Sequence, residues 1–173
     1  MKYIVKFFVV TFLLLVSTQA SADKIAYLDM KFVLNNSKAG KGAQDYLQKT
    51  FKENQDVFAE REKKLKKDEN DLLEQKTILS KVEYQKKADS LRKKVIDYQS
   101  QRRTAFDKIT KQRSDARNKL IETLDPILNS YIKENNISAV IDKKFILGGQ
   151  TDFDITNIIV EKLNKELPSL NLK

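Results

Sequence analysis

The sequence predicts an α+β chain, mostly α: a small β-rich body carrying a long α-helical coiled-coil hairpin. Two observations lead there. Between Gly42 and Gly148 there is no glycine and a single proline, Pro126, in a stretch of Lys, Glu, Gln, Asp and Leu broken at heptad intervals by lone apolar residues. That is the composition of long helices that expose most of their surface. At both ends of this stretch the pattern changes to short β-prone runs, so the body is assembled from the two ends of the chain.

The N-terminus says where the chain works. Lys2 and Lys6 precede a short apolar run, Phe7 to Val16, and Ala20-Ser21-Ala22 places small residues at the two positions a signal peptidase reads. Residues 1–22 therefore read as a secretory signal peptide cleaved after Ala22, since the run is shorter than the roughly 20 apolar residues a spanning helix needs. No later stretch has the length and apolarity to cross a membrane, so the expected mature chain is soluble and exported.

Lys24 to Met30 is β-prone with apolar residues on both faces, the pattern of a buried strand. Phe32, Val33 and Leu34 begin a short helix, and Asn35-Asn36-Ser37 with Gly40 and Gly42 marks a turn before the first arm. That arm, from Ala43 to about Leu79, repeats Phe51, Phe58, Leu65, Leu72 and Leu79 every seven residues. Its companion column, Leu47, Asn54, Arg61, Asp68 and Gln75, is mostly polar, so the seam is narrow. The returning arm is richer, with Tyr84, Ala88, Leu91, Val95, Tyr98, Ala105, Ile109 and Ala116 in a three-and-four spacing that Arg102 and Gln112 interrupt. A narrow seam facing a fuller one predicts a hairpin that pairs but breathes.

The turn between the arms falls near 77–81. Ser80-Lys81-Val82-Glu83 fits a capping box, in which the Ser hydroxyl accepts from the Glu backbone N–H and the Glu carboxylate reaches back. One continuous helix through an incidental Ser is the competing reading, and the hairpin is preferred because a helix of about 90 residues is exceptional in a small secreted domain. Asp125-Pro126 predicts a kink or a cap-and-restart where the return arm meets the body. Beyond Asn135-Asn136, Ile137 to Ile141 and Phe145 to Leu147 read as strands, followed by a turn at Gly148-Gly149. Asp154 is the expected N-cap of a helix carrying Ile155, Ile158, Ile159 and Leu163, ending before Pro168.

The domain division is thus body at 23–42 and 135–173, and arm at 43–134. The expected body core and oligomer contact is Ile25, Tyr27, Leu28, Val140, Ile141, Phe145 and Ile146. A body of some 60 residues without disulfides needs help from oligomerisation, and short sheet edges gain most by pairing across subunits.

Composition excludes most enzyme chemistry. With no Cys and no His, thiol nucleophiles, imidazole acid–base catalysis, disulfides and the commonest zinc ligands are all removed. Gly40-Lys41-Gly42 lacks the upstream glycine and the Lys-Ser/Thr end of a phosphate loop. No catalytic residue, cofactor or metal is expected. The count of 33 Lys plus Arg against 24 Asp plus Glu gives +9, which falls to +7 when Lys2 and Lys6 leave with the signal. Such a surface favours acidic polypeptides and anionic lipid head groups, and export argues against nucleic acid.

The segment A-D-K-I-A-Y-L-D-M, the S-K-A-G-K-G turn, the glycine-free basic arms and the late V-I-D and D-I-T-N-I-I-V-E-K-L-N-K stretches resemble the Skp (OmpH) family of periplasmic chaperones. The resemblance spans essentially the whole mature chain; its terminal motifs are moderately specific, its arms carry little sequence information. It implies a homotrimer with three helical-hairpin tentacles enclosing unfolded outer-membrane proteins without ATP. Two features depart from the pattern: the polar seam of the first arm, and the tail from Pro168 to Lys173.

Client contacts are expected off the hairpin seam, at apolar Val57, Ile78, Val82 and Ile96 and at cationic Lys66, Lys67, Lys86, Arg92, Lys93, Arg102 and Arg103. Solvated helix surface is the alternative reading at each. Anionic lipid or lipopolysaccharide is a further candidate partner. Two other classes fit in part: a coiled-coil spacer of the cell envelope, which needs a tether or a regular seam, and a basic nucleic-acid or anionic-lipid binder, argued from charge alone.

Overall fold

The structure is a computed structural model in which residues 24–172 are described; the signal peptide expected at residues 1–22 lies outside them. Strand β1 (Lys24–Leu28) is followed by helices α1 (Met30–Asn36) and α2 (Lys38–Glu74), then a 3₁₀ turn at Gln75–Thr77. Helix α3 (Lys81–Glu134) returns to strand β2 (Ile137–Asp142), and two 3₁₀ turns lead to helix α4 (Thr156–Glu166). At 1.5 Å per residue the arms α2 and α3, of 37 and 54 residues, are roughly 55 and 80 Å long.

Local chemistry sets the boundaries. The Asp29 carboxylate accepts from the Phe32 N–H at 2.7 Å, so the chain turns into α1 at Met30 and the strand stops at Leu28, short of its expected end. Ser37 is fully buried, and its hydroxyl accepts from the Gly40 N–H at 3.2 Å. Helix α2 consequently starts at Lys38, and Gly40 and Gly42 lie inside it rather than in the expected turn. Gly40 is needed for close approach: a Cβ there would overlap the Leu34 carbonyl, because the first turn of α2 packs directly on the end of α1.

Strands β1 and β2 pair in parallel, with Ala26 opposite Val140 and Tyr27 opposite Ile141. Parallel neighbours need a crossover, and here the crossover is the entire hairpin. The body is leaner in strand than expected. Phe145 to Leu147 forms no strand, because the Asp142 carboxylate accepts from the Lys144 N–H and turns the chain into a 3₁₀ turn. The other edge of β1 carries one further bridge, Tyr27 to Asp154, with the Ile155 N–H donating to the Tyr27 carbonyl at 2.9 Å.

The core lies between β1, α1, the end of α3 and α4. Leu28, Val33, Leu124, Ile155, Ile159 and Leu163 are all buried there, with Met30, Tyr131 and Leu167 packed around them. Of the expected body residues, Tyr27 and Leu28 are buried and Val140 and Ile146 half-buried, while Ile25 (49% exposed), Ile141 and Phe145 (75% exposed) face outward from the single chain. Ile158, expected on the buried side of the last helix, is also exposed, since Ile155, Ile159 and Leu163 already fill the face turned to the core. Asp154 acts one residue further out than expected: its carboxylate accepts from both the N–H and the hydroxyl of Thr156.

Pro126 neither ends nor restarts the return arm. Helix α3 continues through it to Glu134. The missing N–H falls on the exposed side, where Glu122, Asp125 and Pro126 lie, while Leu120, Leu124, Ile127 and Leu128 pack into the core on either side. Past Glu134 the chain leaves through Asn136 at φ 51, a left-handed position that Asn tolerates.

Candidate functional site: the helical hairpin

The hairpin is closed at three levels. Near the base, Leu47, Ile109, Ala116 and Leu120 are buried between the arms. At mid-arm the rings of Phe58 and Tyr98 meet edge-to-face at 5.9 Å, Phe106 lies 6.2 Å from Phe58, and Phe51 completes the group 5.3 Å from Phe106. The guanidinium of Arg61 covers the Phe58 ring and that of Arg102 the Phe106 ring, each at 5.7 Å. Phe106 was absent from the expected seam; an aromatic three residues before Ile109 in so polar a sequence was the available signal.

Beyond the aromatics the closure becomes polar. The companion column of the first arm does face the second, where Arg61 donates to Gln101 (2.6 Å), Asp68 accepts from Lys94 (2.8 Å) and Gln75 accepts from Lys87 (2.6 Å). The hydrogen bond from Lys94 holds the Asp68 carboxyl below the usual carboxylate range. At the tip, Ser80 and Glu83 form the expected capping box with both bonds made, and the Ser80 hydroxyl and N–H lower the Glu83 pKa.

Because the polar column is narrow, the arms stand apart along one face. A groove of about 620 Å³ opens there. Its floor is made by the seam residues Leu65, Leu72, Leu91, Val95 and Tyr98 together with Leu73, and Lys66, Arg92 and Arg102 stand at its rim beside Glu62 and Glu69. Half-buried seam side chains remain accessible from the groove, so seam residues and the expected client-contact residues Lys66, Arg92 and Arg102 line the same recess.

Of the positions expected to contact a client, the structure brings Lys66, Arg92 and Arg102 together in that groove. Arg103 lines a smaller recess with Arg102 and Phe106. Ile78, 80% exposed, and Val82 sit at the tip with Leu73, which the sequence did not single out. Val57 and Ile96 are exposed aliphatics off the seam, and Lys67, Lys86 and Lys93 are exposed cations. Lys66 pairs with Glu62 at 3.5 Å and Arg92 with Asp89 at 2.9 Å, exposed contacts of about 0.2–1 kcal/mol that a ligand can replace. In the body, Lys143 bridges Asp154 at 2.7 Å, which raises the lysine pKa. Burial pushes the Asp154 carboxyl up, and the bonds from Lys143 and Thr156 outweigh it, leaving its pKa lowered. Among the described residues, no cluster of acidic side chains could hold a metal ion and no helix is long and apolar enough to cross a membrane.

Two antiparallel helices projecting from a small body built by both chain ends define a helical-hairpin protein. The chain belongs to the OmpH-like outer membrane protein family, whose profile matches residues 24–163. It is similar in fold to an OmpH-like protein of Caulobacter crescentus CB15, a candidate outer membrane chaperone known from a crystal structure. That similarity has a TM-score of 0.79 at 14% identity and covers 88% of this chain and 90% of the other. No curated protein matches in sequence.

Proposed function

We propose that this chain is an ATP-independent periplasmic holdase that binds unfolded outer-membrane proteins between basic helical arms and prevents their aggregation. Family membership supports an outer-membrane protein chaperone, and one observation carries the finer reading: the hairpin's own apolar seam lies open along a groove flanked by replaceable cations. A β-barrel client in transit carries alternating apolar residues that aggregate in water. Basic arms draw acidic clients in over a Debye length, and many shallow contacts hold them loosely enough to be handed on. No residue is assigned a catalytic role.

The working form is a homotrimer. In the single chain β2 pairs with β1 on one side, no described strand covers its other edge, and Ile25, Ile141, Phe145 and Leu147 stay exposed beside it. Pairing across subunits would bury these groups. An envelope spacer is less well supported, since polar pairs replace a regular apolar seam over the distal arm. The purified mature chain, mixed without nucleotide with a denatured outer-membrane barrel, should suppress light scattering at near-stoichiometric trimer. Scattering equal to that of the barrel alone would remove the holdase.

A further inference from the structure

A second groove, of about 720 Å³, opens on the base of the hairpin. Ala43, Leu47, Ala116 and Leu120 make an apolar floor, and Phe51, 40% exposed, forms its distal lip. Arg113 and Arg117, one helical turn apart on α3, stand along one side. No carboxylate lines this groove, and among the described residues neither guanidinium has an ion pair or hydrogen bond. The distal groove is different, since there Glu62 and Glu69 offset the cations.

We propose that this basal groove is a docking site for an extended polypeptide segment that carries a carboxylate beside apolar side chains. The inference rests on the reading that the chain binds unfolded polypeptides, and it adds a defined anchor to contacts otherwise spread along the arms. The apolar floor takes aliphatic or aromatic side chains, and a volume of this size accommodates two or three of them. Two unengaged guanidiniums on one helix face match a carboxylate bidentately, a stronger and more directional contact than a lysine gives. The third element selects peptide over lipid. Gln48 at the rim is exposed and offers an amide to a peptide backbone, whereas an acyl chain has no use for it.

The test uses the mature protein and a fluorescent peptide of roughly ten residues, alternating Val and Tyr with Ser and bearing one central Asp, against a twin with Asn in its place. Anisotropy should show the Asp peptide binding about tenfold tighter, the value of a charge-assisted pair. In Arg113→Gln/Arg117→Gln that preference should vanish. Arg113→Lys/Arg117→Lys should keep part of it. Lys108→Gln/Lys119→Gln, which removes equal charge from the same helix outside the groove, should keep all of it. A photo-crosslinker at Gln48 should capture the Asp peptide, with helicity and melting unchanged in every variant.

Equal affinity for the two peptides, a preference that survives the double Gln change, or an equal loss in the Lys108/Lys119 control would overturn the anchor. Displacement of the peptide by phosphatidylglycerol vesicles but not by phosphatidylcholine vesicles would assign the groove to lipid and also overturn it. Light scattering with the wild-type protein reads the holdase separately: peptide capture without suppression of aggregation keeps the groove and discards the chaperone.

Discussion

Phe58→Ala should unclasp the hairpin while leaving the body folded. Phe58 is 7% exposed and holds Tyr98, Phe106 and the Arg61 guanidinium around its ring. In a closed core such a truncation costs about 3–5 kcal/mol. Here Tyr98 and Phe106 are only half-buried and Phe51 is 40% exposed, so water enters the space left behind and the cost falls toward the transfer value, about 2–3 kcal/mol. At one decade per 1.4 kcal/mol, amide exchange along the middle of α2 and α3 should accelerate roughly 30- to 150-fold. The β1 and α4 amides should not follow, because Leu124, Ile159 and Leu163 form a core of their own. Hydrogen exchange read by mass spectrometry resolves the two regions. Equal acceleration in arm and body would mean a single cooperative unit, and no acceleration anywhere would mean that the aromatic group does not hold the arms together.

Ser80→Ala removes a capping box with both bonds formed, so exchange in the first turns of α3 should speed up for a local cost of about 0.5–2 kcal/mol, with the body melting point unchanged. Asp68 and Glu83 both have lowered pKa values, so the stability they contribute is present above the ordinary carboxylate range and lost as pH falls through their folded values. Spin labels at Leu65 and Tyr98 should keep one short distance from about pH 5 to 8 and broaden below about pH 4; a constant distribution down to pH 2 would assign the closure to the apolar contacts alone. Neutralising Arg92, Lys93, Arg102 and Arg103 together should slow capture of an unfolded barrel and flatten its salt dependence while changing dissociation less, measured by stopped flow. An unchanged on-rate and salt slope would reduce those four charges to solvated surface.

Where a single element carries its own signal, the fold could be read in the sequence. Heptad spacing located both seams, and Ser80 and Glu83 located the turn, because periodicity and capping are local chemistry. The misreadings arise where tertiary packing decides. Pro126 breaks a helix by rule but is tolerated where its lost bond faces water, and that depends on which side packs. Gly40 resembles a turn residue until the Leu34 carbonyl is seen against it. The grooves between the arms were the least legible in the sequence. Exposed Ile78 and Val82 could be named, but both grooves depend on the register of one arm against the other. Leu73, Phe106, Arg113 and Arg117 gain their meaning only from that register.

Joining parallel β1 and β2 through the hairpin also orders events in time. Their pairing closes a loop of more than a hundred residues, from Leu28 to Ile137, and such a closure is entropically slow for an open chain. The arms shorten it, because α2 and α3 propagate locally and zip from the Ser80 turn, carrying the two strands side by side as they close. During synthesis from the N-terminus, β1 must wait, apolar and unpaired, until the whole return arm has emerged. Pulse-labelled exchange during refolding should therefore find the arm amides protected before those of Ala26 and Tyr27.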